Sequence, residues 1–499
     1  MLRFILDKNT KNLPAKINSP FDLAPSKEVI RPQEGASRCL KGRTNKLVAP
    51  IATTTTQVRV KEYSCPNLEG QLSLLENLTN VRHLLRNIFQ LRNQSNLFAG
   101  RIKRFLSNWE RLTTDKEVLN IVKGWEIPLL AKPIQQREPH SIKMTVEETS
   151  TVDLEVNSML GKGAIRLAIP KEDQILSNIF LRPKTTGGDR PILNLKELNQ
   201  FVPYQHFKME GLKDLKTMVQ QGDLFCKIDL KDAYYTVPLS TKSRKYVRFK
   251  WRGNLYEFLC LAFGLGPAPR VFTKLLKIPI FILRRINIRL IIYLDDLLLM
   301  GETLQEIEMA RDSTIFLFHH LGFVINLKKS VLTPQTRIEF LGIVIDSNAM
   351  TISLPEGKAQ SLTKLCQHTL TLKQITLREP SSLIGKLRVT APAILPAPLQ
   401  LRYLQQLLIQ KQHLYQCYES LVSLDKSCLM ELKWWITNLN LSKGKPIHLE
   451  PPEMIIQSDA AKTGGWGATM GKTSTGGQWN KVESQLHINI QELIAAELP

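Results

Sequence analysis

Two adjacent carboxylates, Asp295 and Asp296, lie between two apolar runs in Leu290-Ile-Ile-Tyr-Leu-Asp-Asp-Leu-Leu-Leu-Met300. Each run is short and rich in Leu and Ile, which is typical of a buried strand, so the pattern predicts a hairpin with the acids at its tip. Paired carboxylates beside a core lose solvation and repel each other unless something neutralises them. The usual neutraliser is a divalent cation with oxygen ligands. The dipeptide alone leaves a solvated Asp-Asp turn open as the alternative.

The composition indicates a polyanionic partner. The chain has 499 residues, enough for several domains, and its 67 Lys and Arg against 45 Asp and Glu give a formal net charge of +22. Nucleic acid is the most common partner of such a basic chain, and a charge that only aids solubility is the alternative.

Cysteine usage and hydropathy predict an intracellular protein, in the cytoplasm and/or nucleus, with no membrane partner. The seven cysteines form no CxxC pair, which argues against a disulfide framework or a zinc finger. The N-terminus becomes polar too quickly for a signal peptide, and no apolar run reaches membrane-spanning length. The sequence gives no indication of the oligomeric state.

The first part of the chain divides into two predicted regions. Residues 1–75 show little periodicity and several prolines, so we expect them to be poorly ordered. Residues 76–159 show apolar residues at helical spacing and are predicted to form a helical extension. Basic residues are interleaved with this pattern from Leu97 to Trp109. They either track a phosphate backbone or face water on an amphipathic helix.

Two further patterns carry polar residues that suit a nucleotide site. Two β-type runs flank Gly187-Gly188 and predict a hairpin whose nearest basic residues are Lys184 and Arg190. Such a hairpin can clamp a triphosphate, although most basic hairpins are only solvated. Further along, an apolar strand ends at Asp229, which is well placed to share a metal with Asp295 on a neighbouring strand.

The ordered set of motifs resembles the reverse transcriptase family of retroelements. The motifs are Arg190-Pro-Ile-Leu-Asn-Leu-Lys-Glu-Leu-Asn199, Asp229 through Pro238, Phe263-Gly264-Leu265 with Ala268-Pro269, Tyr293-Leu-Asp-Asp296 and Phe340-Leu-Gly342. They cover residues 160–346, which the resemblance implies are the fingers and palm. More specifically, Ala99 through Trp109, Gly124 through Pro128 and Ser177 through Leu181 look like DIRS-type elements. One departure is Ala262, where many relatives have proline.

The resemblance implies a role for each matching residue. Asp229 and Asp295 would ligate two Mg²⁺ ions, with Mn²⁺ as a substitute, and Asp296 would complete the acidic cluster. Lys184 and Arg190 would hold the triphosphate, and Lys328 or Lys329 would lie near the leaving pyrophosphate. The other implied roles are a steric gate against the ribose 2′-hydroxyl at Tyr234, a nucleotide and template pocket lined by Phe263 and Gly264, and a primer grip at Phe340, Leu341 and Gly342.

The remainder of the chain predicts a helical thumb or connection over residues 347–445 and a partial ribonuclease H-like domain over residues 446–499. Asp459 and Glu492 match two metal carboxylates of the ribonuclease H family. The later strands of that family are absent before Pro499, so we expect the opening strands to keep an unpaired edge and ribonuclease H activity to be doubtful.

The sequence thus predicts an α+β fold. Its architecture would be a right-hand polymerase with fingers, palm and thumb, followed by a truncated RNase H-like α/β segment. The expected function is that of a retrotransposon RNA-directed DNA polymerase, a nucleotidyltransferase that extends a primer by two-metal chemistry. Its expected partners are an RNA template, a DNA primer, the RNA–DNA hybrid and deoxynucleoside triphosphates. The alternative is an inactive nucleic-acid-binding relict, against which all three palm acids argue.

Overall fold

A computed structural model describes residues 2–4, 99–140, 142–183, 189–372, 374–415, 417–441, 444–448 and 453–498. The chain separates into two compact units, one from residues 63–448 and one from residues 1–62 together with 449–499. The predictions for residues 5–98 and for Lys184 lie outside the described residues. No helix in these described ranges is both long and apolar enough to cross a membrane.

The first described element, β1 (Leu2–Phe4), belongs to the smaller unit. The larger unit opens with helices, as the pattern ending at residue 159 predicts. They are α1 (Leu106–Leu112), α2 (Lys116–Gly124) and α3 (Val146–Gly161). Trp109 anchors α1, because its ring is fully buried and its Nε1 donates to the carbonyl of Leu321 at 3.1 Å.

Residues 165–353 form the centre of the larger unit. Its elements are β2 (Ile165–Leu167), β3 (Ile179–Pro183), β4 (Asp189–Leu193), α4 (Lys196–Gln200), α5 (Leu212–Met218), β5 (Leu224–Asp229), β6 (Arg248–Trp251), β7 (Asn254–Phe258), α6 (Ala268–Arg285), β8 (Arg289–Tyr293), β9 (Asp296–Gly301), α7 (Leu304–His320), β10 (Val331–Gln335), β11 (Arg337–Phe340), β12 (Ile343–Asp346) and β13 (Thr351–Ser353).

The predicted acid-tipped hairpin lies at the edge of an antiparallel four-stranded sheet with the order β10-β5-β9-β8. β8 and β9 pair with Tyr293 opposite Asp296, which leaves Leu294 and Asp295 as a two-residue turn. Leu294 has a φ of 54°, the left-handed conformation that favours tight hairpin turns. The hairpin predicted from the sequence is therefore confirmed.

β9 is buried on both faces. Leu297 and Leu299 pack with helices α6 and α7 in the largest core cluster, while Leu298 and Met300 pack with the sheet of β11, β12 and β13. Successive side chains of a strand point to opposite faces, so an unbroken apolar run suits a strand between two cores. This explains why the run from Leu297 to Met300 shows no polar alternation.

The basic hairpin predicted around Gly187-Gly188 is also present. β3 and β4 pair antiparallel with Arg182 opposite Arg190. A second hairpin joins β6 and β7 through Arg252 and Gly253, whose φ angles of 45° and 77° are both left-handed. β2 pairs with β7 of this second hairpin, which gives a three-stranded sheet with the order β2-β7-β6.

Beyond the central part the chain is mostly helical, in keeping with the helical region predicted over residues 347–445. The elements are α8 (Glu356–Thr371), β14 (Ile375–Thr376), α9 (Arg378–Arg388), α10 (Arg402–Tyr415), β15 (Leu421–Val422), α11 (Lys426–Leu441) and β16 (Lys445–Pro446). The two-residue strands β14 and β15 pair with each other, and β16 returns to pair with β13. The sequence pattern did not predict these short strands.

The chain bends immediately before α10. A 3-10 turn, Leu399–Leu401, precedes α10, and Gln400 departs from helical geometry. α11 holds this bend: the Glu431 carboxylate accepts from the N–H groups of Tyr403 and Leu404, both at 2.9 Å, and Trp435 Nε1 donates to the carbonyl of Gln400 at 2.6 Å. Burial raises the pKa of Glu431, which is 3% exposed.

The smaller unit contains β17 (Ile456–Ala461), β18 (Gly465–Met470), β19 (Thr473–Gly477) and α12 (Ile488–Glu497). The sheet order is β1-β17-β18-β19, and every pair is antiparallel. β17 therefore has a strand on each side, with Leu2 opposite Ser458 and Phe4 opposite Ile456, and the edges of this sheet among the described strands are β1 and β19. This pairing was not predictable from the sequence, because strand partners far apart in the chain leave no local pattern.

Candidate active site

Three acidic residues meet at one end of the four-stranded sheet. Asp229 is the last residue of β5 and lies opposite Asp296, the first residue of β9. Residues opposite each other in an antiparallel pair carry their side chains on the same face, with Cβ atoms about 5 Å apart. Asp295 occupies the adjacent turn, and its carbonyl accepts from the N–H of Leu230 at 2.9 Å. The structure therefore brings the three predicted acids together.

The electrostatics of this cluster show mutual repulsion. Burial, followed by the charges of Asp295 and Asp229, raises the pKa of Asp296 to about 6, and the charges of Lys227 and Lys329 act in the opposite direction. Asp229 is only 6% exposed. Carboxylates in this situation gain from a bound cation.

The donor set fits Mg²⁺ or Mn²⁺ by its chemistry, since all three side chains offer carboxylate oxygens. In the described ranges, no three His, Cys, Asp or Glu side chains already stand in a metal-holding arrangement. A cation would have to draw the mutually repelling carboxylates together.

A turn from Val324 to Ser330 surrounds Asp229, and two of its residues, Asn326 and Ser330, had no role predicted from the sequence. Asn326 Nδ2 donates to Asp229 Oδ1 at 2.8 Å, and the Asn326 N–H donates to the Asp229 carbonyl at 2.8 Å. The Asp229 N–H donates to Ser330 Oγ at 3.0 Å. The sequence signal was the polar Asn and Ser around Lys328-Lys329, but such residues are common in any turn.

Tyr234 lies beside the acids. Its ring packs against Phe263 and Phe272, with centroids 5.2 and 5.5 Å away. Burial and then the nearby charges of Asp295 and Tyr293 raise the pKa of Tyr234 to about 12. The hydroxyl therefore stays protonated at neutral pH, so a neutral aromatic ring stands next to the carboxylates.

Tyr235 has a different environment. It is 9% exposed and packs against Phe258 and Phe263 on the side of the core. The charge of Asp295 acts on the hydroxyl of Tyr234, which is half-buried. This favours Tyr234 as the ring that would face a nucleotide sugar.

The loop with Phe263 and Gly264 is fixed by Asn199, another residue without a role in the sequence analysis. Asn199 Nδ2 donates to the Gly264 carbonyl at 2.9 Å, and its Oδ1 accepts from the Gly266 N–H at 2.8 Å. Gly264 has a φ of 101°, and a Cβ there would collide with the carbonyl oxygen of Leu193 in β4. Close approach of the two backbones therefore requires glycine.

The predicted triphosphate clamp consists of Lys184 and Arg190. Lys184 lies outside the described residues, and Arg190 is placed only as a backbone position of β4 opposite Arg182. The roles of Lys184 and Arg190 stay predictions.

The predicted primer grip is a tight turn between β11 and β12. Phe340 lies opposite Ile343, so Leu341 and Gly342 form the turn, with left-handed φ angles of 51° and 73°. Lys358 Nζ donates to the Gly342 carbonyl at 3.0 Å. Phe340 is 1% exposed and therefore anchors the turn, so only Leu341 and Gly342 are available to a ligand.

Asp459 and Glu492 both belong to the smaller unit. Asp459 is an exposed residue of β17, and Glu492 lies half-buried on α12. Their predicted metal role stays a prediction.

Residues 169–345 match the family model described as "Reverse transcriptase (RNA-dependent DNA polymerase)". This range contains the acidic cluster, Tyr234 and the loop at Gly264. The chain thus carries a reverse transcriptase domain over these residues, within the region 160–346 where the motifs predicted it.

Curated relatives include polyproteins of plant viruses and of a transposon. The putative enzymatic polyprotein of Cassava vein mosaic virus is 24% identical over 364 residues, 70% of this chain and 53% of that protein. The genome polyprotein of Petunia vein clearing virus is 29% identical over 189 residues, 38% of this chain and 8% of that protein. The transposon Tf2-3 polyprotein of Schizosaccharomyces pombe is 20% identical over 308 residues, 60% of this chain and 22% of that protein. The chain spans about half or less of their lengths.

Solved structures with a similar fold include foamy viral protease-reverse transcriptases. One in complex with an RNA/DNA hybrid matches with a TM-score of 0.55 and 18% identity, over 74% of this chain and 48% of that chain. One in complex with dsDNA matches with a TM-score of 0.55 and 17% identity, over 79% of this chain and 84% of that chain. The likeness shows a reverse transcriptase polymerase fold.

Proposed function

We propose that this chain is an RNA-directed DNA polymerase of a retroelement, which extends a primer on an RNA or DNA template. The observation that carries the proposal is the position of Asp229 opposite Asp296, with Asp295 in the adjoining turn, inside a reverse transcriptase domain. An inactive relict would have no need to keep three mutually repelling carboxylates at one sheet end.

Asp229 and Asp295 would hold two Mg²⁺ ions, or Mn²⁺ in their place, and Asp296 would complete the acidic cluster. When bound, such ions lower the pKa of an attacking hydroxyl and neutralise charge on a phosphoryl group. The chain's own contribution is to fix the acids. Backbone pairing of β5 with β9 sets the separation of Asp229 and Asp296, and the hydrogen bond from Leu230 to the Asp295 carbonyl fixes the turn.

The ring of Tyr234, with Phe263 and Gly264, would form the wall of the deoxynucleotide pocket. Support comes from the packing of Tyr234 on Phe263 and from the charge of Asp295 beside its hydroxyl. Lys184 and Arg190 would bind the triphosphate from the β3–β4 hairpin, and Lys328 or Lys329 would lie near the leaving pyrophosphate. Leu341 and Gly342, anchored by Phe340, would contact the primer.

The partners would be an RNA template, a DNA primer and their hybrid. The net charge of +22 supports a polyanionic ligand, and the foamy viral proteins of similar fold are described with an RNA/DNA hybrid and with dsDNA. The helices α8 to α11 would grip the duplex as a thumb. We assign the polymerase to an intracellular retrotransposon of DIRS type on the sequence resemblance of residues 99–128 and 177–181.

The direct test is primer extension by the purified 499-residue protein on an RNA template with Mg²⁺ and deoxynucleotides, beside an Asp295→Asn variant. Extension by the wild type and none by the variant supports the proposal. Template–primer binding without extension by either protein, under Mg²⁺ and Mn²⁺, would instead establish the relict alternative.

A further inference from the structure

The turn after α7 forms hydrogen bonds with three groups of Asp229: its backbone N–H, its backbone carbonyl and one carboxylate oxygen. Beyond the end of β5, the Lys231 N–H donates to the Val324 carbonyl at 2.7 Å and the Asn326 N–H donates to the Asp229 carbonyl at 2.8 Å. The turn thus extends the sheet by a short pairing, with Leu230 opposite Ile325. Asp229 lies where this pairing gives way to β10.

Two side chains of the turn complete the enclosure. Asn326 donates its amide to Asp229 Oδ1 at 2.8 Å. Ser330 Oγ accepts from the Asp229 N–H at 3.0 Å and donates to the Asn326 carbonyl at 2.9 Å. Asn326 and Ser330 therefore bind each other as well as Asp229, so the three residues form one closed network.

We propose that Asn326 and Ser330 are positioning residues that orient the Asp229 carboxylate for metal binding. An amide N–H on Oδ1 fixes the rotation of the carboxylate and leaves Oδ2 and a further lone pair of Oδ1 for a cation. Outer hydrogen bonds of this kind orient metal ligands and change affinity or activity by about 10- to 100-fold when lost. This inference rests on the proposed function.

The same network fixes the two-lysine turn. Lys328 and Lys329 lie between Asn326 and Ser330 and are exposed, while the N–H groups of Lys329 and Ser330 both donate to the Asn326 carbonyl at 3.1 and 2.9 Å. Asn326 therefore links the acid on one side to the basic turn on the other. Its loss should disturb the site without unfolding the sheet, since the backbone pairing at Lys231 does not use its side chain.

The test measures Mn²⁺ affinity of the full chain with bound template–primer by electron paramagnetic resonance, beside primer extension. The variants are Asn326→Ala, Ser330→Ala and the conservative Ser330→Thr. The matched control is Asn348→Ala, which removes an amide that donates to Thr336 Oγ1 at 3.1 Å on an exposed turn. Thermal melting and template–primer affinity are recorded for each protein.

We expect Asn326→Ala to weaken Mn²⁺ binding by about tenfold or more and to raise the Mg²⁺ concentration for half-maximal extension in parallel. Ser330→Ala should weaken Mn²⁺ binding in the same way but by a smaller factor. Ser330→Thr should bind Mn²⁺ as the wild type does, because it keeps the hydroxyl. Template–primer affinity should be unchanged.

Unchanged Mn²⁺ affinity in Asn326→Ala would overturn the inference, as would an equal loss in Asn348→Ala or a loss that only follows a fall in melting temperature. Because the Mn²⁺ readout needs no turnover, it decides the inference even if the wild type fails to extend a primer. That failure would count against the proposed function alone.

Discussion

Asp229 and Asp296 lie directly opposite each other across β5 and β9, on the same face of the sheet. Like charges at opposite positions destabilise an antiparallel pair, and here both residues are largely withdrawn from water. The arrangement therefore lowers the free energy of unfolding in the absence of a cation. Measurements of stability can thus test the site as well as measurements of activity.

The first prediction concerns the metal ligands. Asp229→Asn or Asp295→Asn should reduce DNA synthesis by about 10³-fold or more, as expected when about 4 kcal/mol of transition-state stabilisation is lost. Template–primer affinity should change by no more than about twofold, because it depends on phosphate contacts. Steady-state extension and filter binding measure the two effects, with Asp346→Asn on β12 as the control outside the cluster. Equal losses of binding and synthesis would indicate a structural role.

The second prediction concerns pH and stability. The pKa of Asp296 is raised to about 6, so its charge destabilises the folded state. This penalty is absent below the unfolded pKa near 3.8, grows as the pH rises and is complete above about 6. Without divalent metal, Asp296→Asn should therefore stabilise the protein at pH 7.5 by about 1 kcal/mol, after a reduction for partial exposure, and by less at pH 5.

The expected rise in melting temperature at pH 7.5 is about 1 °C, because a large unit has a large entropy of unfolding. Added Mg²⁺ should stabilise the wild type more than Asp296→Asn, since a ligand that binds only the folded state raises its stability. A variant that melts below the wild type at pH 7.5 without metal would contradict the repulsion between these carboxylates.

The third prediction concerns sugar selection. Tyr234→Ala should raise ribonucleotide incorporation relative to deoxyribonucleotide by about tenfold, because it removes the ring that would contact the 2′-position. Tyr234→Phe keeps the ring and should preserve the discrimination. Competitive single-nucleotide incorporation gives the ratio. If Tyr235→Phe or another change at Tyr235 altered the ratio and Tyr234→Ala did not, the gate would be assigned to Tyr235.

The fourth prediction concerns the close approach at Gly264. Gly264→Ala should destabilise the protein by about 2–4 kcal/mol, since it adds a left-handed φ penalty to a collision with the Leu193 carbonyl. Gly253→Ala is the matched control, with a left-handed φ of 77° but no atom within 4 Å of the added Cβ. It should cost only about 1 kcal/mol. If denaturant titrations gave equal losses of unfolding free energy for Gly264→Ala and Gly253→Ala, the collision with the Leu193 carbonyl would contribute nothing.

The fifth prediction concerns the smaller unit. We expect little or no RNA cleavage in a labelled RNA–DNA hybrid with Mg²⁺ or Mn²⁺, because two carboxylates, Asp459 and Glu492, do not hold two ions firmly. The comparison protein is Asp459→Asn. Cleavage by the wild type that this variant lacks would show that the segment is an active nuclease.

The palm hairpin was predictable because its signal is local. Apolar runs on both sides of Asp295-Asp296 specify two buried strands, and a two-residue connection leaves few geometries. The end of β5 at Asp229 followed from the same kind of pattern. Its pairing with Asp296 needed the family resemblance, because residues 67 positions apart carry no periodicity that reveals their register.

The supporting residues were not predictable from pattern alone. Asn199 and Asn326 each act through hydrogen bonds to residues distant in the chain, Gly264 and Asp229. An asparagine at the end of a short helix or in a turn has the same local signature whether its side chain binds water, a neighbouring loop or a metal ligand. The pairing of β1 with β17 was missed for a related reason, since three residues are too few for a period to emerge.

The bend before α10 has a mechanical consequence. Glu431 and Trp435 of α11 form hydrogen bonds with the backbone at Gln400, Tyr403 and Leu404. These bonds stabilise the bend and join it to α11. Opening the bend would strip three hydrogen bonds and leave a buried carboxyl without its donors. Because α8 to α11 also share one apolar core, we expect these four helices to move together as one rigid body.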